Sequence, residues 1–291
     1  MYTTGFIATV REKIKEAREK GKKIILIPTM GFLHPGHLGM VEETRKRDRG
    51  RENLYIVMSI FVNPLQFGPQ EDYATYPRDL ERDKALAERA GVDLLFAPSV
   101  AEMYPEGRSL TTVQVSEITE VLCGVRRPGH FQGVATVVTK LFNIVSPDEA
   151  LFGQKDYQQA LVIKQLVKDL NISVVVNVFP TVREKDGLAL SSRNSYLSPK
   201  EREQAPILFQ ALQEAALLIK EGERRTNFLC EKIKQRIESS TSGKIEYVEI
   251  RRAQDLSEIE EIDSAVVIAL AAKFGSTRLI DNLIVEVEKD V

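Results

Sequence analysis

Apolar and polar positions along the first 180 residues fall into two alternating kinds of block. Short, mostly apolar runs at residues 24–28 (IILIP), 54–60 (LYIVMSI), 93–97 (DLLFA) and 173–179 (SVVVNVF) predict strands. Between them, residues 38–47, 79–90, 131–145 and 157–169 carry apolar side chains at helical spacing. Strands separated by helices of this length imply right-handed crossovers, and so a parallel, doubly wound α/β sheet.

Near residue 182 the texture changes. A single long helix is expected over 199–219, behind a Ser198 cap, and a second over 227–238. Residues 245–250, 265–271 and 283–287 predict strands with less helix between them. This pattern divides the chain into domains at 1–182 and 183–291, the second a smaller α+β unit joined around residues 182–194. No internal repeat or low-complexity segment interrupts either part.

Composition narrows the class. With 40 basic against 42 acidic residues, the formal charge of −2 does not point to a nucleic-acid binder. The charge-dense runs 11–23 and 42–52 mix signs, as solvated helix faces do. Residues 1–10 hold no long apolar run behind a basic segment, and the longest apolar stretch, 265–272, is far below the roughly 18 residues of a membrane span. Cys123 and Cys230 lie far apart and read as free thiols in a reducing compartment. A cytoplasmic protein with no membrane partner is expected.

The chemistry concentrates at strand-to-helix junctions. Residues 28–37 (PTMGFLHPGH) follow the first strand and open a helix, where free N–H groups can hold a phosphate. Gly31 and Gly36 let the backbone approach an anion. His34 and His37, two of only three histidines, would set imidazoles beside it. A zinc site would need His130 or a carboxylate as third ligand and has no cysteine nearby. After the second strand, Asn63 and Gln66 present fixed amides suited to hydroxyls and carboxylates. Residues 73–83 supply carboxylates that either cap a helix or hold magnesium. In 126–134 (RRPGHFQGV), arginine could pair a substrate carboxylate bidentately. In 152–159 (FGQKDYQQ), Lys155 suits a triphosphate, and Asp156 suits ribose hydroxyls or a helix cap. Residues 186–194 (DGLALSSRN) add two hydroxyls and an arginine, placed where a closing lid would hinge.

The His-x-Gly-His pattern resembles the signature of the nucleotidylyltransferase superfamily. Together with the other segments, in order, and with 275–282 (GSTRLIDN), it resembles the pantothenate synthetase (pantoate–β-alanine ligase) family over nearly the whole chain. That resemblance implies a Rossmann-like catalytic domain, a smaller C-terminal domain acting as a lid, and a homodimer. It implies condensation of (R)-pantoate and β-alanine through a pantoyl-adenylate, with release of pyrophosphate and AMP. It also implies site residues. Met30, Gly31, Phe32, Leu33, His34, Pro35, Gly36 and His37 would bind ATP, with His37, His34, Lys155 and Arg193 catalytic. Gly153, Gln154, Lys155, Asp156, Val182, Leu190, Ser191, Ser192 and Arg193 would complete the nucleotide site. Gln66, Gln159, Asn63, Arg127 and His130 would bind pantoate and β-alanine, and Asp83 would hold Mg²⁺. The family often has Glu at the position of Gln154 and Met at that of Leu190, with little consequence expected where the backbone makes the contact. Asp79 occupies a position that is frequently uncharged in the family and is assigned no role. Two other readings compete: nucleotide transfer to a phosphorylated acceptor, and a non-catalytic nucleotide sensor.

Overall fold

The computed structural model describes residues 1–48, 53–107 and 109–287; residues 49–52 of the second charge run lie outside them. Two compact units cluster: Met1–Ser116, Arg127–Gln154 and Val162–Pro180 form one, and Glu117–Arg126, Lys155–Leu161 and Thr181–Val291 the other.

The first 180 residues run β1 (Tyr2–Thr4), α1 (Ile7–Glu19), β2 (Lys23–Thr29), α2 (Pro35–Asp48), β3 (Leu54–Ile60), α3 (Leu80–Ala90), β4 (Leu94–Phe96), the short α4 (Val100–Met103) and α5 (Cys123–Arg126), α6 (His130–Val145), β5 (Glu149–Gly153), α7 (Tyr157–Asp169) and β6 (Val175–Phe179). The six strands are all parallel, in the order β1-β4-β3-β2-β5-β6. The doubly wound α/β sheet is present as expected. From β2 the chain steps outward through β3 to β4, then returns to place β5 on the other side of β2. Open α/β sheets bind ligands outside the carboxyl ends of strands at such a reversal. Here it lies between β2 and β5.

Alternation along the strands sends Ile25, Ile27, Ile56 and Met58 into one layer with Met40 and Val41 of α2 and Ala87 of α3. Helices α1 and α6 pack together as a second pair against the sheet. The charge-dense stretch that starts at residue 11 is largely α1, whose Val10, Ile14 and Ala17 form a buried stripe at helical spacing. Helix α3 starts at Asp79, whose side chain accepts the Arg82 N–H, and stops at Gly91, which takes φ 94°.

The second unit contains α8 (Pro199–Gln204), α9 (Ile207–Lys220), α10 (Thr226–Ser240), β7 (Lys244–Arg252), β8 (Val266–Phe274) and β9 (Thr277–Val285). The three strands are antiparallel, in the order β7-β8-β9. Leu208, Leu212 and Ile219 of α9 join Leu229, Ile233 and Ile237 of α10 and the apolar face of β8 in one core. The single helix expected over 199–219 is two. Ser198 caps the helix as expected and forms a capping box with Glu201, but Pro206 has no N–H to continue the ladder, and its ring crowds the preceding turn. Strand β9 begins six residues earlier than expected, because Asp281 and Asn282 interrupt its apolar pattern while lying buried within it.

Candidate active site

The link from β2 to α2 is bent around a carboxylate. Gly31 and Phe32 take φ 83° and 49°, and a Cβ on Gly31 would lie 2.8 Å from Ile60 Cγ2 and 3.0 Å from Asp83 Oδ2. Glycine is required there on both counts. Asp83, 1% exposed on α3, accepts the Phe32 N–H at 2.6 Å and the Leu33 N–H at 2.7 Å. Burial holds this carboxyl above the usual aspartate value, against the pull of those two N–H groups. Both oxygens of Asp83 thus shape the loop.

Beyond the bend, His34 precedes α2 and its carbonyl accepts the N–H groups of His37 and Leu38, at 2.9 and 3.2 Å. The two imidazoles stack with centroids 3.9 Å apart and planes 26° from parallel. They sit where the helix N-terminus projects partial positive charge. The zinc alternative finds no support in the donor set: among the described residues, no three His, Cys, Asp or Glu side chains are grouped to hold a metal.

A second wall follows β3. Asn63 is 1% exposed and fully bonded within the protein. Its amide donates to Gly133 O (3.0 Å) and Gln66 Oε1 (3.3 Å), and its Oδ1 accepts from Leu65 N (3.3 Å) and Tyr104 OH (2.9 Å). Burial pushes the Tyr104 hydroxyl up to about 12, so it stays a donor. With two donors and two acceptors matched, Asn63 positions this turn rather than touching substrate. Helix α6 reaches the turn at Gly133, where a Cβ would meet Leu65 O at 2.3 Å. The Gln66 amide keeps only the Met30 sulfur as acceptor, at 2.9 Å, a weak partner that a substrate oxygen can displace.

Arg127 is likewise engaged within the protein. Its guanidinium bonds Glu71 at 2.7 and 2.6 Å and Gln66 O at 3.3 Å, and approaches His130 Nε2 at 3.0 Å. Burial raises the Glu71 carboxyl, but the Arg127 bonds outweigh that and hold it below the usual value. His130 contacts Gln66 O through Nδ1 at 2.8 Å. A carbonyl oxygen needs a donor, so Nδ1 donates to Gln66 O. Arg127 and His130 thus brace the Gln66 backbone.

The remaining expected residues lie in the second unit, apart from Gly153 and Gln154 at the end of β5. At the start of α7, Gln158 is spent on Ile118 O, Val121 O and the Cys123 N–H, and Tyr157 OH donates to Ala253 O at 2.6 Å. Gln159 alternates with them, half-buried and with no side-chain hydrogen bond among the described residues. Lys155 is 3.9 Å from Asp156, and its carbonyl accepts the Asn282 amide at 2.8 Å. Leu190 N–H bonds Val182 O at 3.0 Å, closing a narrow hairpin from which Ser191, Ser192 and Arg193 emerge. Ser191 caps that last turn by accepting the Arg193 N–H at 3.2 Å. Glu71, Tyr104, Gln158, Asp281 and Asn282 are the participants that sequence reasoning missed. Each acts on a partner distant in the chain, and residue spacing carries no trace of that.

Comparison with known proteins meets this geometry. The family model described as pantoate-beta-alanine ligase matches residues 3–284. The chain belongs to the pantoate-beta-alanine ligase family. It is 57% identical over 280 residues to the pantothenate synthetase of Desulfitobacterium hafniense, covering 96% of this chain and 97% of that protein. It is also 57% identical to that of Acetivibrio thermocellus, with 97% and 98% covered. The pantothenate synthetase crystal structure from Thermus thermophilus superposes with a TM-score of 0.90 at 46% identity, over 97% of this chain and 99% of that one. The ligase from Francisella tularensis, solved with β,γ-ATP and β-alanine, gives 0.78 at 34% identity over 98% and 97%. The chain is accordingly a pantoate–β-alanine ligase.

Proposed function

We propose that the stacked His34 and His37 imidazoles, at the α2 N-terminus and the sheet reversal, hold the triphosphate while pantoate attacks its α-phosphorus. That stacked pair is the observation that carries the assignment. Gln66 and Gln159 bind pantoate through amides that the protein leaves available. A pantoate carboxylate oxygen bonds to the α-phosphorus, and the bond to the bridging oxygen breaks, its electron pair leaving on pyrophosphate. The β-alanine amine then attacks the acyl carbon, loses a proton, and AMP departs with the electrons of the acyl–oxygen bond.

The difficulty of the first step is that two anions must meet. Donors fixed before the reaction lower that cost, and removing one such donor costs about 3–4 kcal/mol in other enzymes. Lys155 and Arg193, together with both histidines, supply such donors in this scheme. Leu190, Ser191, Ser192 and the Val182 backbone line the nucleotide, and the 183–291 domain closes over it as a lid that excludes water from the adenylate. Mg²⁺ would enter with the nucleotide as substrate, and Asp83 is the acidic residue that the family resemblance associates with it. The enzyme acts as a cytoplasmic homodimer, as the family resemblance implies.

The test measures pyrophosphate and AMP with pantoate and β-alanine added separately and together. AMP release that needs both acids is expected, along with pantoate-dependent exchange of pyrophosphate into ATP. His37→Ala and Lys155→Ala should each lower that exchange by orders of magnitude with the fold intact. Near-normal exchange in either variant removes that residue from the mechanism. Retention of the nucleotide on the product would favour a nucleotidyl transferase instead.

A further inference from the structure

Two segments assigned to the nucleotide, the Lys155 turn and the 182–193 hairpin, are tied to neighbouring residues of one strand. Asn282 of β9 is 4% exposed, and its Nδ2 donates to the Lys155 carbonyl at 2.8 Å. Asp281, also 4% exposed, accepts both Arg183 terminal nitrogens, at 2.6 and 2.8 Å. Arg183 follows Val182 directly, donates to Gly187 O at 3.1 Å and stacks 3.6 Å from the Phe209 ring. It also pairs with Ala189 across the hairpin. Gly187, at φ 96°, leaves no room for a Cβ against Phe209, so the hairpin tip is fixed as well. Strand β9 itself is held along its length by β8, with Asp281 opposite Leu270 and Asn282 opposite Ala269.

We propose that Asp281 and Asn282 are positioning residues for ATP, holding the Lys155 ammonium and the Ser191–Arg193 donors at a fixed spacing. A buried aspartate and asparagine in mid-strand are otherwise poor choices, since both disfavour strands and must be bonded when buried. Their bonds run to the backbone of one phosphate-binding segment and to the arginine that stiffens the other. Neither side chain touches substrate; each acts through the residue it fixes. The inference rests on the assignment of Lys155 and Arg193 to the triphosphate and goes beyond it by saying what sets their separation.

Asn282→Asp preserves shape but replaces the donor with an acceptor facing the Lys155 carbonyl. It should weaken ATP binding and lower kcat/KM for ATP by roughly 10- to 100-fold, as the loss of a buried bond and a small misplacement do elsewhere. The KM values for pantoate and β-alanine should hold within about two-fold, on the ground that neither acid is bound through Lys155. As pH is lowered and the new carboxyl takes up a proton, it becomes a donor again, and the deficit relative to wild type should shrink. Arg183→Lys, which cannot bond Asp281 bidentately, should show the same selective loss for ATP.

ATP affinity of Lys155→Ala, Asn282→Asp and the double variant, measured by calorimetry, closes the test. Positioning through Lys155 predicts that Asn282→Asp adds little once Lys155 is gone, whereas a general structural defect adds in full. Full additivity, equal losses for all three substrates, or ATP affinity within two-fold of wild type in Asn282→Asp each overturns the inference. If instead Lys155→Ala itself binds ATP normally, the underlying assignment of Lys155 fails, and the two failures are told apart.

Discussion

Replacing Asp83 with asparagine separates the loop-shaping role of this residue from the magnesium role its position suggests. The carboxylate accepts two backbone N–H groups, at 2.6 and 2.7 Å, from a loop already committed to positive φ at Gly31 and Phe32. Asparagine keeps one acceptor oxygen and turns an amide N–H toward the other donor. One hydrogen bond to a charged group is lost, worth about 1.5–3 kcal/mol. If the bent loop is the ATP-binding form, ATP affinity should fall about 10- to 100-fold, since each 1.4 kcal/mol or so is a factor of ten. Calorimetric titration with ATP, with and without Mg²⁺, reads this directly. The loss should be the same in both conditions. A defect that vanishes when Mg²⁺ is withheld, or an unchanged affinity, would refute the loop-shaping account.

The same residue gives opposite pH trends for binding and for stability. Burial raises its carboxyl, so protonation begins at a higher pH than in an exposed aspartate, and ATP affinity should weaken there as pH falls. The folded state also holds this proton more tightly than the unfolded chain. The stability it contributes is thus present below the unfolded value near 3.8 and is lost as pH rises through the raised folded value.

Tyr104→Phe deletes the buried donor to Asn63 Oδ1 and should cost about 1–2 kcal/mol of stability by denaturant titration. It should also raise KM for pantoate several-fold with KM for ATP unchanged; an unchanged pantoate KM would separate Asn63 from the Gln66 site. Glu71→Gln breaks the bidentate hold on Arg127 and should destabilise by about 1–2 kcal/mol at neutral pH. Because the Glu71 carboxyl is held below the usual value near 4.5, its contribution is present above that pH and fades as pH falls through the folded value. The variant should therefore lose part of the acid sensitivity of wild type, which thermal melts on either side of the ordinary carboxylate range would register.

Local chemistry was legible along the chain wherever it repeats at short range. Residues 54–60 and 157–169 match β3 and α7 residue for residue, because an apolar run and a helical stripe each need only their own segment to be seen. The doubly wound class followed from the order of such segments. Strand β9 and the break at Pro206 were harder: a polar pair inside a strand and a proline inside a helical stripe both depend on what surrounds them.

Residue types told the same story at the site. The Met30–His37 turn, Gln66, Gln159, Lys155 and Arg193 stood out because their groups suit a triphosphate and an acid wherever the backbone places them. Asn63, Asp83, Arg127 and His130 looked equally suited, and the structure directs all four inward, onto Gly133, the Phe32 and Leu33 amides, Glu71 and the Gln66 carbonyl. Sequence alone therefore determined which chemistry this protein commands, since a side chain brings its donors and charge with it. Which of those groups remain free to meet a ligand was decided by tertiary structure, because a buried polar group must first be satisfied by whatever partner the fold sets beside it.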